Sequence, residues 1–135
     1  MTGNSSGGSQ YSPAALAYLG DSVYELYVRE YLVTSRSSQP SVEALNYVTA
    51  HIQSNAVEKL LPVLTEEEES VYRRGRNLGH TNIPKSSTAS EYRRATGFEA
   101  LFGYLYLCGR HERIKELFDL ALESADDPEK DNSED

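Results

Sequence analysis

"YLGDSVYEL", residues 18–26, is the stretch on which the fold turns. Tyrosine, leucine and valine recur through it at helical spacing, yet Gly20 and Asp21 stand in its middle. Glycine in a helix interior costs about 1 kcal/mol relative to alanine, and a carboxylate turned toward other helices costs more unless something pairs with it. Two local penalties in adjacent positions point to a site. Upstream, Ser12 and Pro13 form an N-cap and first-turn pair, and Leu16, Leu19, Val23 and Leu26 repeat every three or four residues. This spacing predicts a helix over about 13–33, with Leu26 in its buried stripe.

Outward from that helix, "TSRSSQP" has turn composition. Val42, Leu45, Val48, Ile52, Ala56 and Leu60 then mark a second long helix that Pro62 ends. Thr65 with Glu68 is a capping-box pair, and the acidic run Glu66 to Glu69 suits a helix N-terminus, so a third helix is expected to reach about Arg74. "GRNLGHTNIPKSST" contains two glycines and a proline and reads as a long exposed loop, of the length that in compact domains is usually functional or mobile. Helical periodicity returns through Phe98, Leu101, Phe102 and Leu105, and again through Ile114, Leu117, Phe118 and Ala121. With no strand pattern and no repeat, the expectation is an all-α helical bundle over residues 11–124. The tails at 1–10 and 125–135 have almost nothing to bury and are expected to be disordered.

At 135 residues the chain suits one domain. Its single Cys108 cannot close an internal disulfide and lies among apolar residues, so it reads as core. The opening "MTGNSSGGSQ" has neither the basic nor the apolar region of a signal peptide, and no run approaches the roughly 18 apolar residues of a membrane span. A soluble protein of a reducing compartment, with no membrane partner, is expected. The net charge of −8 taken alone argues against nucleic acid, but it conceals two opposite segments. Residues 124–135 carry a net charge of −5, whereas residues 71–94 carry +5.

Glu99 repeats the puzzle of Asp21 in another helix, sharing its face with Gly103. In both cases the glycine suggests close approach of another helix or of a ligand. Asp21 can pair with an arginine or cap a neighbouring helix. Alternatively the two carboxylates share a cation, and oxygen ligands of this kind suit Mg²⁺ or Mn²⁺. Arg73, Arg74, Arg76, Asn77, His80, Lys85, Arg93 and Arg94 can form a merely solvated face, or contact a sugar-phosphate backbone beside that cation. The histidines His51, His80 and His111 have no metal-ligand spacing.

"YLGDSVYEL" together with "YRRATGFEALFGYLYL" resembles the two signature helices of the ribonuclease III catalytic domain, in the right order. "RRGRN" and the expected lack of a following double-stranded RNA-binding domain are similar to its Mini-ribonuclease III branch. The resemblance covers residues 11–124 and implies a Mg²⁺-dependent endoribonuclease (Mn²⁺ as an alternative ion) with Asp21 and Glu99 as metal-binding catalytic residues. The implied reaction cuts double-stranded RNA to leave a 5′-phosphate and a 3′-hydroxyl, with two-nucleotide 3′ overhangs. It requires a homodimer, for which the apolar surplus of the first helix also argues. The implied substrate is the paired ends of precursor large-subunit (23S) ribosomal RNA, with a ribosomal-protein helper as a further partner. The implied setting is the bacterial cytoplasm or the plastid stroma. Where the wider family has two further carboxylates, this chain has Ala17 and Thr96. Their loss favours a competing reading, a catalytically inactive ribonuclease III fold that binds RNA. A Mg²⁺-dependent nucleotide pyrophosphatase is a weaker rival, since "EEEES" lacks the matching aspartate on its helix.

Overall fold

The computed structural model describes residues 10–78, Lys85 and residues 88–125, with the side chains of 124 and 125 excepted. The tail segments 1–9 and 126–135, and most of the 79–87 loop, lie outside the described residues.

Ser12 caps the first helix by accepting from the Ala15 amide at 3.0 Å, and Pro13 opens it with a preset φ. This helix, α1, runs Pro13–Thr34. The expected second helix is instead broken into α2 (Pro40–Glu43), α3 (Leu45–Val48) and α4 (Ala50–Leu60). The cause of the last break is Thr49, whose extended backbone (ψ 157°) lets its hydroxyl accept from the Ile52 amide and start a new helix. α5 (Glu66–Arg76) begins with the expected Thr65/Glu68 capping box and runs two residues past Arg74. α6 (Ala89–Leu107) begins with a second such box, Thr88/Glu91, and α7 (His111–Ala125) closes the bundle. Gly109, at φ +72°, turns the chain out of α6, and the Arg110 amide returns to the Leu105 carbonyl at 3.0 Å. Cys108, expected in the core, caps α6 and is half-buried.

Because α6 is buried on most of its circumference, it forms the axis on which α1, α4, α5 and α7 pack. Tyr24, Phe98, Phe102 and Phe118 make the aromatic centre, with Tyr24 edge-on to Phe98 at 4.9 Å. The Tyr24 hydroxyl donates to the Tyr47 carbonyl at 2.9 Å, so this polar group too is satisfied. Glu68 is only 2% exposed, and Arg113 of α7 reaches it at 2.8 Å while also donating to the Val63 carbonyl at 2.7 Å. Burial alone would raise the Glu68 pKa, but the Arg113 and Thr65 hydrogen bonds hold it below the ordinary value.

α1 buries Leu16, Ala17, Val23, Tyr24, Val28 and Leu32. Leu26 does not belong to that stripe; with Tyr18 and Val33 it points outward, at 62%, 85% and 66% exposure. All three lie on one face of the helix at roughly 100° per residue.

Candidate active site

Gly20 answers the question its sequence raised. A Cβ there would lie 1.6 Å from the Glu99 carbonyl oxygen, and one at Gly103 would lie 2.1 Å from that of Leu16. The backbones of α1 and α6 therefore touch, and only two facing glycines permit it. Asp21 is the next residue after Gly20, so the close crossing delivers its carboxylate to Glu99.

The two side chains differ in setting: Asp21 is exposed, and Glu99 is half-buried. Burial pushes the Glu99 carboxyl up to about 8, with the negative charge of Asp21 and a hydrogen bond to it adding to the effect. Glu99 is thus held in its protonated form at neutral pH beside the Asp21 side chain. Among the described residues no arginine or lysine pairs with either of them, so the ion-pair alternative for Asp21 is not the one adopted. Nor do three or more His, Cys, Asp or Glu gather into a larger cluster. Ala17 is buried, and the Thr96 hydroxyl donates to the Tyr92 carbonyl of its own helix at 2.9 Å, so neither position adds a ligand.

Sequence inspection missed Gln53. This α4 residue is 1% exposed, and its amide acts on Glu99 in the opposite direction, favouring the anion. Its Nε2 nevertheless makes no well-formed hydrogen bond. α4 is fastened to α6 by His51 Nδ1 against Glu91 Oε2 at 2.6 Å and by Arg94 against Glu58 at 3.1 Å.

The basic residues gather elsewhere on α6. Arg76, Asn77, Arg93 and Arg94, with Ser90, Tyr72 and Leu61, line an open cleft of about 470 Å³ between α5 and α6. α5 seats Tyr72 against Gly97, and Gly97 and Glu99 point about 200° apart around α6. Arg93 and Arg94 of the cleft are roughly 120–140° around α6 from Glu99, so the cleft and the carboxylates lie on different faces of one helix. Arg73 pairs with Glu69 at 3.3 Å, Arg74 and Lys85 are exposed, and His80 lies outside the described residues. Arg76 stacks over Tyr72 at 5.7 Å and donates to Asn77 Oδ1 at 3.2 Å.

Residues 14–110 match the family described as the ribonuclease III domain. The chain is 42% identical over 115 residues to the Mini-ribonuclease 3 of Thermoanaerobacter sp. (strain X514), covering 83% of this chain and 81% of that protein. It is 46% identical over 114 residues to the Mini-ribonuclease 3 of Symbiobacterium thermophilum, covering 82% and 88%. It is also similar to an X-ray crystal structure of a protein from Fusobacterium nucleatum, with a TM-score of 0.76 at 32% identity over 84% of this chain and 94% of that one. Asp21 and Glu99 both fall inside the matched span, and the chain belongs to the Mini-ribonuclease 3 branch of the ribonuclease III family.

Proposed function

We propose that this endoribonuclease cuts double-stranded RNA at a divalent cation held by Asp21 and Glu99. The observation that carries the proposal is the carboxyl pair itself: two acids pressed together with no cationic side chain paired to them among the described residues, and the Glu99 carboxyl pushed up to about 8. With both groups ionised such a pair is unfavourable in the folded protein, and a cation can take the place of the proton that relieves it. The donor set fits Mg²⁺, which takes one or two protein carboxylates and completes its shell with water and phosphate oxygens; Mn²⁺ would suit the same oxygens. When bound, the ion supplies a water of lowered pKa and neutralises charge on the attacked phosphate. Asp21 and Glu99 hold and orient it, Glu99 giving up its proton on loading.

Arg76, Asn77, Arg93 and Arg94 bind backbone phosphates in the α5–α6 cleft, with Arg73, Arg74, His80 and Lys85 extending the basic surface along the strand. Arg93 and Glu99 are about 9 Å apart along the α6 axis and roughly 120° apart around it, so one duplex lying across α6 engages both. The exposed apolar face of α1, formed by Tyr18, Leu26 and Val33 beside Asp21, supports a homodimer in which each site cuts one strand. Hydrolysis leaves a 5′-phosphate and a 3′-hydroxyl. The substrate is the paired ends of precursor large-subunit ribosomal RNA, presented with a ribosomal protein in the bacterial cytoplasm or the plastid stroma. Among the described residues no helix is long and apolar enough to cross a membrane.

The test is an end-labelled RNA duplex incubated with the protein, with and without Mg²⁺, beside light scattering at the same concentration. Cleavage of both strands by a dimer only with the ion supports the proposal. Duplex binding without cleavage at any Mg²⁺ concentration would favour the inactive RNA-binding module, to which the losses at Ala17 and Thr96 point.

A further inference from the structure

Among the described residues, Arg94 is the one arginine of the α5–α6 cleft that is paired with an acid: its Nη2 donates to Glu58 Oε2 of α4 at 3.1 Å. Arg76 lies over Tyr72 and bonds Asn77, and Arg93 enters no ion pair there. Leu61, three residues beyond Glu58, lines the cleft, so Glu58 stands at its α4 edge. The Glu68–Arg113 pair shows what a permanent link in this fold requires: Glu68 is 2% exposed and accepts two bonds from one guanidinium. Glu58 accepts one bond, and its side chain is 70% exposed against 27% for Arg94. Water can take over the Glu58 carboxylate when Arg94 leaves it, so the pair is exchangeable. Glu58 also offers Arg94 what a phosphate offers, an anionic oxygen within reach of a charge-assisted hydrogen bond.

We propose that Glu58 competes with RNA phosphate for Arg94. In the free protein Glu58 occupies the guanidinium; on binding, a backbone phosphate displaces it, and the released carboxylate stays at the edge of the cleft as a like charge beside the strand. Both effects weaken the hold of the cleft on RNA. A strand that brings no phosphate to Arg94 meets the repulsion without the compensating bond, which makes Glu58 a specificity-determining residue as well as a brake on affinity. This inference rests on the cleft being an RNA-binding surface, and the experiment separates the two.

Glu58→Gln keeps the length of the side chain and removes its charge. Binding of a fluorescently labelled RNA duplex to the full chain is measured in EDTA for the wild type, Glu58→Gln, Arg94→Ala, the double variant and Arg76→Ala, with melts to give the folded fraction of each. The expected result is affinity raised about fivefold in Glu58→Gln, as for release of an exposed ion pair. The gain should fall to about twofold or less when Arg94 is already alanine, because no pair is then left to break. Unchanged or lower affinity in Glu58→Gln, with binding weakened in Arg76→Ala, would overturn the role of Glu58 and leave the cleft standing. An equal gain in both backgrounds would show a diffuse charge effect without competition for Arg94, and overturn it too. Duplex affinity unaffected by Arg76→Ala and by Arg94→Ala would remove the cleft and this role together.

Discussion

Neutralising Glu99 should stabilise the metal-free protein by an amount that grows as pH rises from about 5 to about 8. In the wild type the folded carboxyl keeps its proton to about 8, against an ordinary value of 4.5. Between those values the folded state binds more protons than the unfolded state, so stability falls as pH rises through the window. At about 1.36 kcal/mol for each pH unit, the interval caps the effect at roughly 5 kcal/mol, and access of water to the exposed Asp21 reduces it to about 2 kcal/mol. Glu99→Gln has no charge to bury. Its metal-free stability should equal that of the wild type near pH 5 and exceed it by about 2 kcal/mol near pH 9, or roughly 6–10 °C in melting temperature for a domain of this size. Thermal melts in EDTA at several pH values measure the difference, in which every other titrating group cancels. Added Mg²⁺ should close the gap by stabilising the wild type alone. Parallel curves for the two proteins would refute the reasoning, because Glu99 would then carry no strained charge. A Glu99→Gln protein weaker by about 3–5 kcal/mol at all pH values would instead reveal a carboxylate satisfied by a cationic partner.

Three further outcomes are expected. Gly20→Ala puts a methyl 1.6 Å from the Glu99 carbonyl oxygen, backbone that cannot yield, so α1 and α6 must part; a loss of about 3 kcal/mol or more in denaturant melts should accompany loss of cleavage. Arg76→Ala and Arg93→Ala should each shallow the slope of log affinity for duplex RNA against log salt by about 0.7–0.9 while changing stability by less than about 0.5 kcal/mol. An unchanged slope would make the cleft a solvated face. Arg113→Ala leaves Glu68 buried without its partner and should lower stability at neutral pH by about 3–5 kcal/mol in urea unfolding. Because the Glu68 pKa is depressed, its contribution is present above 4.5 and lost as pH falls further, so the deficit of the variant should shrink in acid.

What was legible in the sequence follows the range of the forces involved. The caps of α1 and α5 are local hydrogen bonds between neighbours, and Ser12, Thr65 and Glu68 announce them. Gly20 and Asp21 were legible because each breaks a helical preference, as Glu99 and Gly103 do in their turn. The interruption at Thr49 was not, since Val42, Leu45 and Val48 keep a helical spacing across the broken segment and a single extended residue leaves no mark on it. Leu26 was assigned to the wrong side of α1 because that helix carries apolar residues on two faces, and spacing cannot say which one meets the core. Gln53 gave no signal: an amide in the middle of a helix looks like a solvated one until α6 covers it. The Glu68–Arg113 pair joins residues 45 positions apart, and only the packed bundle brings them together. Arg76, Arg93 and Arg94 were legible as a basic group, but that Arg76 joins Arg93 and Arg94 in one cleft depends on how α5 seats against Gly97.

Asp21 is the more exposed member of the pair, so its charge can be removed with little effect on packing, and Asp21→Asn tests the cation site most directly. Cleavage of a labelled RNA duplex by this variant is followed over a Mg²⁺ titration, with duplex binding measured in EDTA and the folded fraction from its melt. The expected result is cleavage abolished at every Mg²⁺ concentration, with RNA affinity and metal-free stability equal to or above those of the wild type. Cleavage at the wild-type rate per folded molecule would contradict it.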